Sequence, residues 1–184
     1  MAALTADQVR QELFMRINHA QIHHDLLTAL RQCTATQENL VKFNRNVRFF
    51  SGVDSALFNS TIVLLYTLYE RRSDTVNFGR LLDLIQPSIT TEDIASHTKS
   101  LEAIKPTRIR VGILRNEMVG HQTLDRDRAA VQSKANLGFS DVDGLLAHAK
   151  DLLFDISCRH FGTHLDYMDD SKSAVDKLLS RVSL

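Results

Sequence analysis

The segment of the chain best suited to chemistry is VGILRNEMVGHQ, in which Arg115, Asn116 and His121 follow an apolar stretch. Histidine titrates near neutral pH and can therefore accept or donate a proton. Arginine stays charged and can hold a phosphate through two parallel hydrogen bonds. The amide of Asn116 can orient either group or a phosphate oxygen. These residue types predict acid–base chemistry at a phosphate group, with no need for a metal ion.

The spacing of this motif sets a condition on the site. On an ideal α-helix, Arg115 and His121 lie about 9 Å apart along the axis and about 120° apart around it. One chain alone therefore forms a loose site, whereas a two-fold homodimer brings two copies of the motif into one composite cleft. Gly112, one turn before Arg115, permits close helix approach, and Gly120 loosens the turn that presents His121.

Basic residues outnumber acidic ones around the motif, which predicts a polyanion nearby. Lys105 and Arg108 are the predicted substrate-binding residues, because Arg108 lies seven residues before Arg115 and so shares its helix face. Arg71 and Arg72 are weaker candidates, and a solvated basic face is the alternative interpretation. The local charges are Lys99, Lys105, Arg108, Arg110 and Arg115 against Glu102 and Glu117.

Two further arginine–histidine pairs have a similar spacing. Arg16 precedes His23, but an apolar residue follows this arginine where a polar one is wanted. Arg159 precedes His164, with His160 as the polar neighbour. Both pairs stay open as competing sites.

A metal site is the remaining alternative. His19 and His23 share a helix face at a spacing able to hold zinc, with His24 beside them, but no acidic or thiol ligand nearby completes the set. The chain has no glycine-rich phosphate loop, no cysteine pair with metal spacing and no glycine-flanked serine. We therefore expect neither a metal nor a cofactor.

Helices are predicted to position all of these residues, because only two prolines and seven glycines occur in 184 residues. A final short helix is predicted around Ala174, Leu178, Leu179 and Val182. The other predicted spans are Asp7–Arg31, Glu38–Phe50, Val53–Arg71 after an interruption at Ser51 and Gly52, Asn77–Ile85, a helix capped at Thr90, and a helix from Asp141 through Ile156.

One stretch has the pattern of a strand, since Ile109, Val111 and Ile113 alternate with polar residues or glycine. We nevertheless predict a helix there, because no other stretch alternates comparably and a lone strand leaves its backbone groups unpaired. The predicted fold is an all-α bundle. A single domain is expected over residues 1–184, with a core from about residue 7 to 161 and a polar tail over 162–184.

Composition narrows the function classes. The 22 basic and 22 acidic residues give no overall field, which argues against a histone-like protein or a polybasic membrane tail. Cys33 and Cys158 are predicted to be buried free thiols. The N-terminal sequence lacks the features of a signal peptide, and the longest apolar run, Ile62–Tyr69, is too short to span a bilayer. We expect a cytoplasmic protein without a membrane partner.

The motif and its flanks resemble the HEPN superfamily (higher eukaryotes and prokaryotes nucleotide-binding), whose mark is an arginine, a polar residue and a histidine after four to six intervening residues. Arg115, Asn116 and His121 fit this pattern. The segment LLYTLYERRSDTVNFGRLLDL, at residues 64–84, is most similar to the abortive-infection group related to AbiU proteins. The resemblance spans roughly Val53 to Thr123. These flanks favour Arg115 over the two competing arginines.

The resemblance implies a helical bundle that dimerises across the motif and acts as a metal-independent endoribonuclease. In this interpretation His121 is the base, Arg115 stabilises the charge developing at phosphorus and Asn116 orients the reacting groups. It also implies a toxin or phage-defence effector, with a cognate antitoxin or neighbouring-gene protein as a partner. The alternative is a non-catalytic HEPN module that binds nucleotide, RNA or a partner protein. The neutral net charge favours a short or structured substrate over long RNA.

Overall fold

The computed structural model describes residues 4–34, 36–120, 128–167 and 177. Within these residues the chain forms α-helices joined by short turns and contains no strand, so the all-α prediction is confirmed. A 3₁₀ turn covers Gln86–Ser88, and π-helical segments cover Arg115–Gly120 and Ser157–Phe161. The α-helices are α1 (Ala6–Cys33), α2 (Gln37–Arg45), α3 (Val47–Tyr69), α4 (Phe78–Ile85), α5 (Thr91–Ala103), α6 (Lys105–Leu114), α7 (Arg128–Ala135) and α8 (Phe139–Ile156).

Side-chain caps begin several of these helices, and the cap predicted at Thr90 is confirmed. The hydroxyl of Thr90 accepts a hydrogen bond from the backbone N–H of Asp93 at 3.1 Å and starts α5. Asn77 starts α4 by accepting from the backbone N–H of Arg80 at 2.8 Å. Its amide nitrogen also donates to the carbonyl oxygen of Arg72 at 2.7 Å, which fixes the turn between α3 and α4.

The predicted break at Ser51 and Gly52 is wrong. Helix α2 ends at Arg45, and α3 then runs without interruption through Gly52. Asn46 ends α2, because its backbone N–H donates to the carbonyl oxygen of Phe43 and its side chain donates to that of Lys42 at 3.3 Å. Gly52 is exposed and remains helical, since an exposed glycine costs a helix only about 1 kcal/mol.

The stretch with strand-like alternation is helical and forms α6, which confirms the prediction. Val111 is 1% exposed and faces the core, whereas Ile109 is 54% exposed. Arg110 lies against α8, where its guanidinium donates to both carboxylate oxygens of Asp141 at 2.7 and 3.1 Å. The burial of Val111 and the ion pair of Arg110 both stabilise a helix here. The alternating pattern alone does not distinguish a helix from a strand.

The described residues fall into two compact units. The first lies within Met1–Ile17 and Ile62–Asp166 and holds most of the buried apolar side chains. In this unit the hydroxyl of Tyr69 donates to the carbonyl oxygen of Leu145 at 2.8 Å and so joins α3 to α8. Every apolar residue predicted for the buried face of α8 is buried: Val142, Leu145, Leu146, Ala149, Leu152, Leu153 and Ile156.

The second unit lies within Asn18–Thr61 and Tyr167–Leu184. Its apolar cluster contains Leu30 and Phe50, and the rings of Phe43 and Phe50 stack with centroids 4.0 Å apart. A two-point ion pair between Arg31 and Asp54, at 2.7 and 2.9 Å, joins α1 to α3. Because α1 and α3 contribute residues to both units, the prediction of a single domain over 1–184 stays a prediction.

Helix α3 has the length and composition of a membrane-spanning helix, with a mean hydropathy of 1.3 over its most apolar window. Among the described helices it alone passes that test, and 22% of this window is buried. Core helices pass the same test, and Leu65 and Leu68 of α3 are fully buried in the first unit. The helix is therefore weak evidence for a membrane span, and the cytoplasmic location stays a prediction.

The C-terminal predictions are only partly tested. Residues 162–167 follow the last π-helical segment without regular structure, and the predicted final helix around Ala174–Val182 lies outside the described residues except at Lys177. Cys158 is a free thiol, as predicted, but it is half-buried rather than buried. Its Sγ lies 3.8 Å from the carbonyl oxygen of Thr163. The side chain of Cys33 lies outside the description.

Candidate functional site

The motif begins where α6 ends and the backbone changes its winding. Helix α6 runs to Leu114, and Arg115–Gly120 continue it as a π-helical segment. A π-helix uses hydrogen bonds from i to i+5 and therefore has a wider turn than an α-helix, and such segments are frequent at functional sites. The predicted angle between Arg115 and His121 assumed α-helical winding, whereas the described part of the motif is π-helical. His121 itself lies outside the described residues, so its placement relative to Arg115 stays a prediction.

Arg115 and Asn116 lie side by side at the start of this segment. The guanidinium of Arg115 donates to the side-chain oxygen of Asn116 at 3.0 Å. The same guanidinium lies over the ring of Tyr66 on α3, with the Cζ atom of Arg115 4.9 Å from the ring centroid. A cation over an aromatic face is attracted by the ring's quadrupole. These two neighbours orient Arg115, and no described carboxylate forms an ion pair with it.

Gly112 packs against the ring of Tyr66. A Cβ atom at Gly112 would lie 3.7 Å from that ring, an ordinary van der Waals distance, so α6 and α3 pack together here without requiring a glycine. The suggestion that Gly112 permits close helix approach in a dimer stays a prediction. Sequence reasoning missed Tyr66 as a site residue, because its distance in sequence from Arg115 carries no signal of contact.

The π-helical segment is also held to α7. The ammonium of Lys134 donates to a carboxylate oxygen of Glu117 at 2.6 Å. Glu117, one of the two acidic residues near the motif, thus forms an ion pair with a lysine of another helix. This ion pair joins the π-helical segment to α7, and residues 121–127 between them lie outside the described chain.

The predicted substrate-binding residues lie on α6 but have different surroundings. Lys105 is exposed and pairs with Glu102 at 3.3 Å. Arg108 is half-buried, and its guanidinium donates to the carbonyl oxygen of Tyr69, at the C-terminal end of α3, at 3.4 Å. Burial and the neighbouring charge of Arg71 lower the pKa of Arg108. Arg110, counted among the local basic residues, is neutralised by Asp141.

Carboxylates neutralise the arginine of one competing pair. Arg159 donates to Asp155 at 2.6 Å and to Asp93 at 3.4 Å, and the imidazole Nδ1 of His164 lies 3.6 Å from the thiol of Cys158. The polar neighbour His160 contacts His97, with 3.3 Å between their Nε2 atoms. These ion pairs leave Arg159 less available to a phosphate than Arg115.

The other pair is also engaged in structural contacts. Arg16 donates to Glu12 and to the carbonyl oxygen of Val76, both at 3.0 Å, within the first unit. In the second unit the Nδ1 atom of His23 lies 2.8 Å from the hydroxyl oxygen of Ser60. Burial, with a smaller contribution from His19, lowers the pKa of His23. Within the described chain, no group of three or more potential ligands could hold a metal ion.

Within the described residues the chain is helical and has no strand, and Arg115 and Asn116 lie side by side at the start of a π-helical segment. A model of the AbiU2 family of HEPN domains matches residues 3–178. Because this match covers nearly all 184 residues, the chain belongs to the HEPN AbiU2 family. The match extends well beyond the stretch from Val53 to Thr123 that carried the resemblance. No curated protein and no solved structure gives a significant match to the chain.

Proposed function

We propose that this protein is a metal-independent endoribonuclease whose site is built from Arg115, Asn116 and His121. The observation that carries the proposal is the arrangement of Arg115, which is oriented by Asn116 and Tyr66 and has no carboxylate partner among the described residues. A guanidinium that is fixed but not neutralised is suited to binding a phosphate. Membership of the HEPN family supports the same site.

The reaction follows from the chemistry of these groups. His121 takes the proton from a ribose 2′-hydroxyl, and the 2′-oxygen then attacks the adjacent phosphorus. The bond from phosphorus to the 5′-oxygen breaks, and this leaving oxygen takes a proton from water, while His121 releases the proton it accepted to the solvent. The products are a 2′,3′-cyclic phosphate and a 5′-hydroxyl end. Arg115 stabilises the negative charge that develops on the phosphoryl oxygens, and Asn116 holds the guanidinium towards them.

A homodimer is part of the proposal. Two copies of the motif around a two-fold axis supply an arginine from one protomer and a histidine from the other to the same phosphate. Lys105 and Arg108, which precede the motif on α6, bind the flanking RNA in this arrangement. The cellular role that we propose is abortive infection, with the protein acting in the cytoplasm as a toxin or phage-defence effector restrained by a partner protein.

Cleavage of total RNA in excess chelator tests the chemistry. The wild type should cleave RNA and leave cyclic phosphate ends, whereas the Arg115→Ala and His121→Ala variants should lose at least about 100-fold in rate. Arg159→Ala is the matched control, because it belongs to the competing pair and should leave cleavage unchanged. Inactive variants that remain folded and dimeric support catalysis by the motif.

Mixing the two inactive variants tests the composite site. If each phosphate is served by both protomers, subunit exchange between Arg115→Ala and His121→Ala dimers should restore part of the activity, because about half of the dimers are then mixed. No restoration after exchange contradicts a shared site. A wild-type dimer that binds RNA without cleaving it overturns the nuclease and favours a non-catalytic binding module.

A further inference from the structure

A cleft of about 340 Å³ lies in the first unit, separate from the contacts of Arg115. It is lined by the end of α3, the turn that follows, and residues of α4, α5 and α6. Four arginines line it: Arg71, Arg72, Arg80 and Arg108. A volume of this size falls within the range of small-molecule sites, which begins at about 300 Å³.

The four arginines are not equally neutralised. Arg71 pairs with Glu102 at 2.7 Å, and Arg72 pairs with Asp74 at 2.7 Å. Arg108 contacts only a backbone carbonyl oxygen, and the guanidinium of Arg80 has no hydrogen bond or ion pair with any described residue. Two guanidiniums in one cleft therefore lack a carboxylate partner within the described chain.

The first turn of α4 lies on the same wall. Phe78 and Gly79 line the cleft together with the cap Asn77. The side chain of Asn77 accepts from the N–H of Arg80, whereas the N–H groups of Phe78 and Gly79 have no acceptor within their own helix, and the helix dipole favours a negative charge there. Phosphate is the common biological group that matches both arginine and helix-terminus donors.

The balance of charges in the cleft indicates how many phosphate groups it can bind. Three carboxylates, Glu70, Asp83 and Glu102, also line it, and Asp74 beside the cleft neutralises Arg72, so the four arginines are balanced by four carboxylates. This balance suits a single phosphate group, held by the two guanidiniums without a carboxylate partner, better than a long polyanion. Apolar side chains, among them Leu82 and Leu101, line the rest of the cleft and can contact an organic group attached to the phosphate.

We propose that this cleft binds one phosphate group of an organic phosphate ester, through Arg80, Arg108 and the first turn of α4. The shared chemistry fits either a free nucleoside monophosphate or the terminal phosphate of an RNA strand. The site does not depend on cleavage at Arg115. Glu102 competes with the ligand for Arg71, because one guanidinium cannot hold both anions fully.

Calorimetric titration with adenosine 5′-monophosphate, and with adenosine as the phosphate-free probe, tests the site. The monophosphate should bind and adenosine should not. Arg80→Gln should weaken binding about tenfold or more, because it removes a charge without breaking an ion pair between described residues. Glu102→Gln should tighten binding a few-fold by releasing Arg71. Arg48→Gln, an exposed arginine on α3 outside the cleft, is the matched control and should change nothing.

A short RNA of 2′-O-methyl nucleotides, which cannot be cleaved through a 2′-hydroxyl, separates the two sources. A tighter complex with its 5′-phosphorylated than with its 5′-hydroxyl form, lost in Arg80→Gln, assigns the site to RNA ends. Binding of the free monophosphate alone assigns it to a nucleotide. Equal binding of adenosine and its monophosphate, or unchanged binding in Arg80→Gln, overturns the proposal. Because neither probe is cleaved, these results are independent of nuclease activity.

Discussion

Arg115 is oriented by two neighbours of different chemistry. Asn116 accepts a hydrogen bond from its guanidinium in the plane of that group, and Tyr66 contacts the same guanidinium through its ring face. Because α3 and α6 pack together where Tyr66 meets Gly112, the ring lies close enough to restrict the long side chain. An arginine side chain that is already restricted loses less conformational entropy when it binds a phosphate.

Tyr66 should therefore act as a positioning residue. Tyr66→Leu removes the ring and should lower kcat for RNA cleavage about tenfold while changing KM little, because the arginine is still present but less well oriented. Tyr66→Phe keeps the ring and should retain near wild-type activity. Steady-state kinetics on a short RNA substrate would measure both.

Two results would contradict this role for Tyr66. Loss of activity in Tyr66→Phe would show that the hydroxyl matters rather than the ring. An unchanged kcat in a folded Tyr66→Leu variant would show that Asn116 alone orients Arg115. Thermal melting of each variant separates a loss of orientation from a loss of folded protein.

The sequence indicates which residues suit phosphate chemistry, but not which side chains contact them. The motif Arg115 and Asn116 stands out because arginine, an amide and histidine together suit phosphate chemistry. Tyr66 and Arg80 do not stand out, because their importance depends on which helices pack together. The ion pairs of Arg110 with Asp141 and of Arg159 with Asp93 are likewise invisible in sequence, since both carboxylates come from other helices.

At the scale of elements, hydrophobic spacing locates most helices but not every boundary. The break between α2 and α3 lies at Asn46, whereas the glycine at 52 suggested a later one. The helix passes through Gly52 because that residue is exposed and its neighbour Phe50 packs into the apolar cluster of the second unit. Packing of one aromatic residue outweighs the small helix-breaking tendency of glycine. The π-helical winding at Arg115 likewise leaves no pattern in the sequence.

Replacing Gly52 by alanine should therefore stabilise the protein. A Cβ atom there has no heavy atom within 4 Å, so it fits without strain. The expected gain is about 0.5–1 kcal/mol in the free energy of unfolding, because alanine is the better helix former and restricts the unfolded chain. Urea unfolding followed by circular dichroism would measure it.

Gly162 provides the opposite control. It ends the last π-helical segment with a φ of +60°, in the left-handed region. A Cβ atom there also meets no neighbour within 4 Å, so space alone predicts tolerance for alanine. Backbone strain predicts a loss of about 1 kcal/mol instead. Equal effects of Gly52→Ala and Gly162→Ala would contradict this account of both glycines.

At the scale of the whole molecule, histidines connect the helices of the first unit. The Nδ1 atom of His148 lies 3.0 Å from the hydroxyl oxygen of Tyr69, and its Nε2 atom lies 3.1 Å from the carbonyl oxygen of Ser100. His97, 3% exposed, contacts His160 from α5. These contacts join α3, α5, α8 and the segment after α8.

These histidines are expected to be neutral in the folded protein at neutral pH. Burial is the largest cause that lowers the pKa of His148, although its bond to Ser100 acts in the opposite direction. Burial also lowers the pKa of His97; the charge of Asp155 opposes this shift, and that of His160 adds to it. In the unfolded chain both imidazoles recover a pKa near 6.5. The unfolded chain therefore binds protons more readily than the folded one.

Stability should consequently be highest above about pH 7 and should fall as the pH drops below 6.5. Each histidine can contribute a slope of at most about 1.4 kcal/mol per pH unit. The carboxylates of Asp93 and Asp141 act over a separate pH range. Their pKa values are lowered from 3.8, so their contribution to stability is lost only in stronger acid. A loss of stability between pH 7.5 and 5.5 thus reports the histidines.

Urea unfolding at pH 7.5 and 5.5 measures this loss. His97→Gln should reduce the difference between the two pH values, because its amide can still form hydrogen bonds but does not titrate, even if the variant is less stable at both. His164→Gln is the matched control, since His164 is exposed and contacts Cys158 and Phe154 rather than His97 or His148, so it should leave the difference as in the wild type. A wild type that is equally or more stable at pH 5.5 contradicts a neutral histidine network. If the difference in stability between the two pH values is reduced in His97→Gln but not in the control, the acid sensitivity lies at the contact between α5 and the segment after α8.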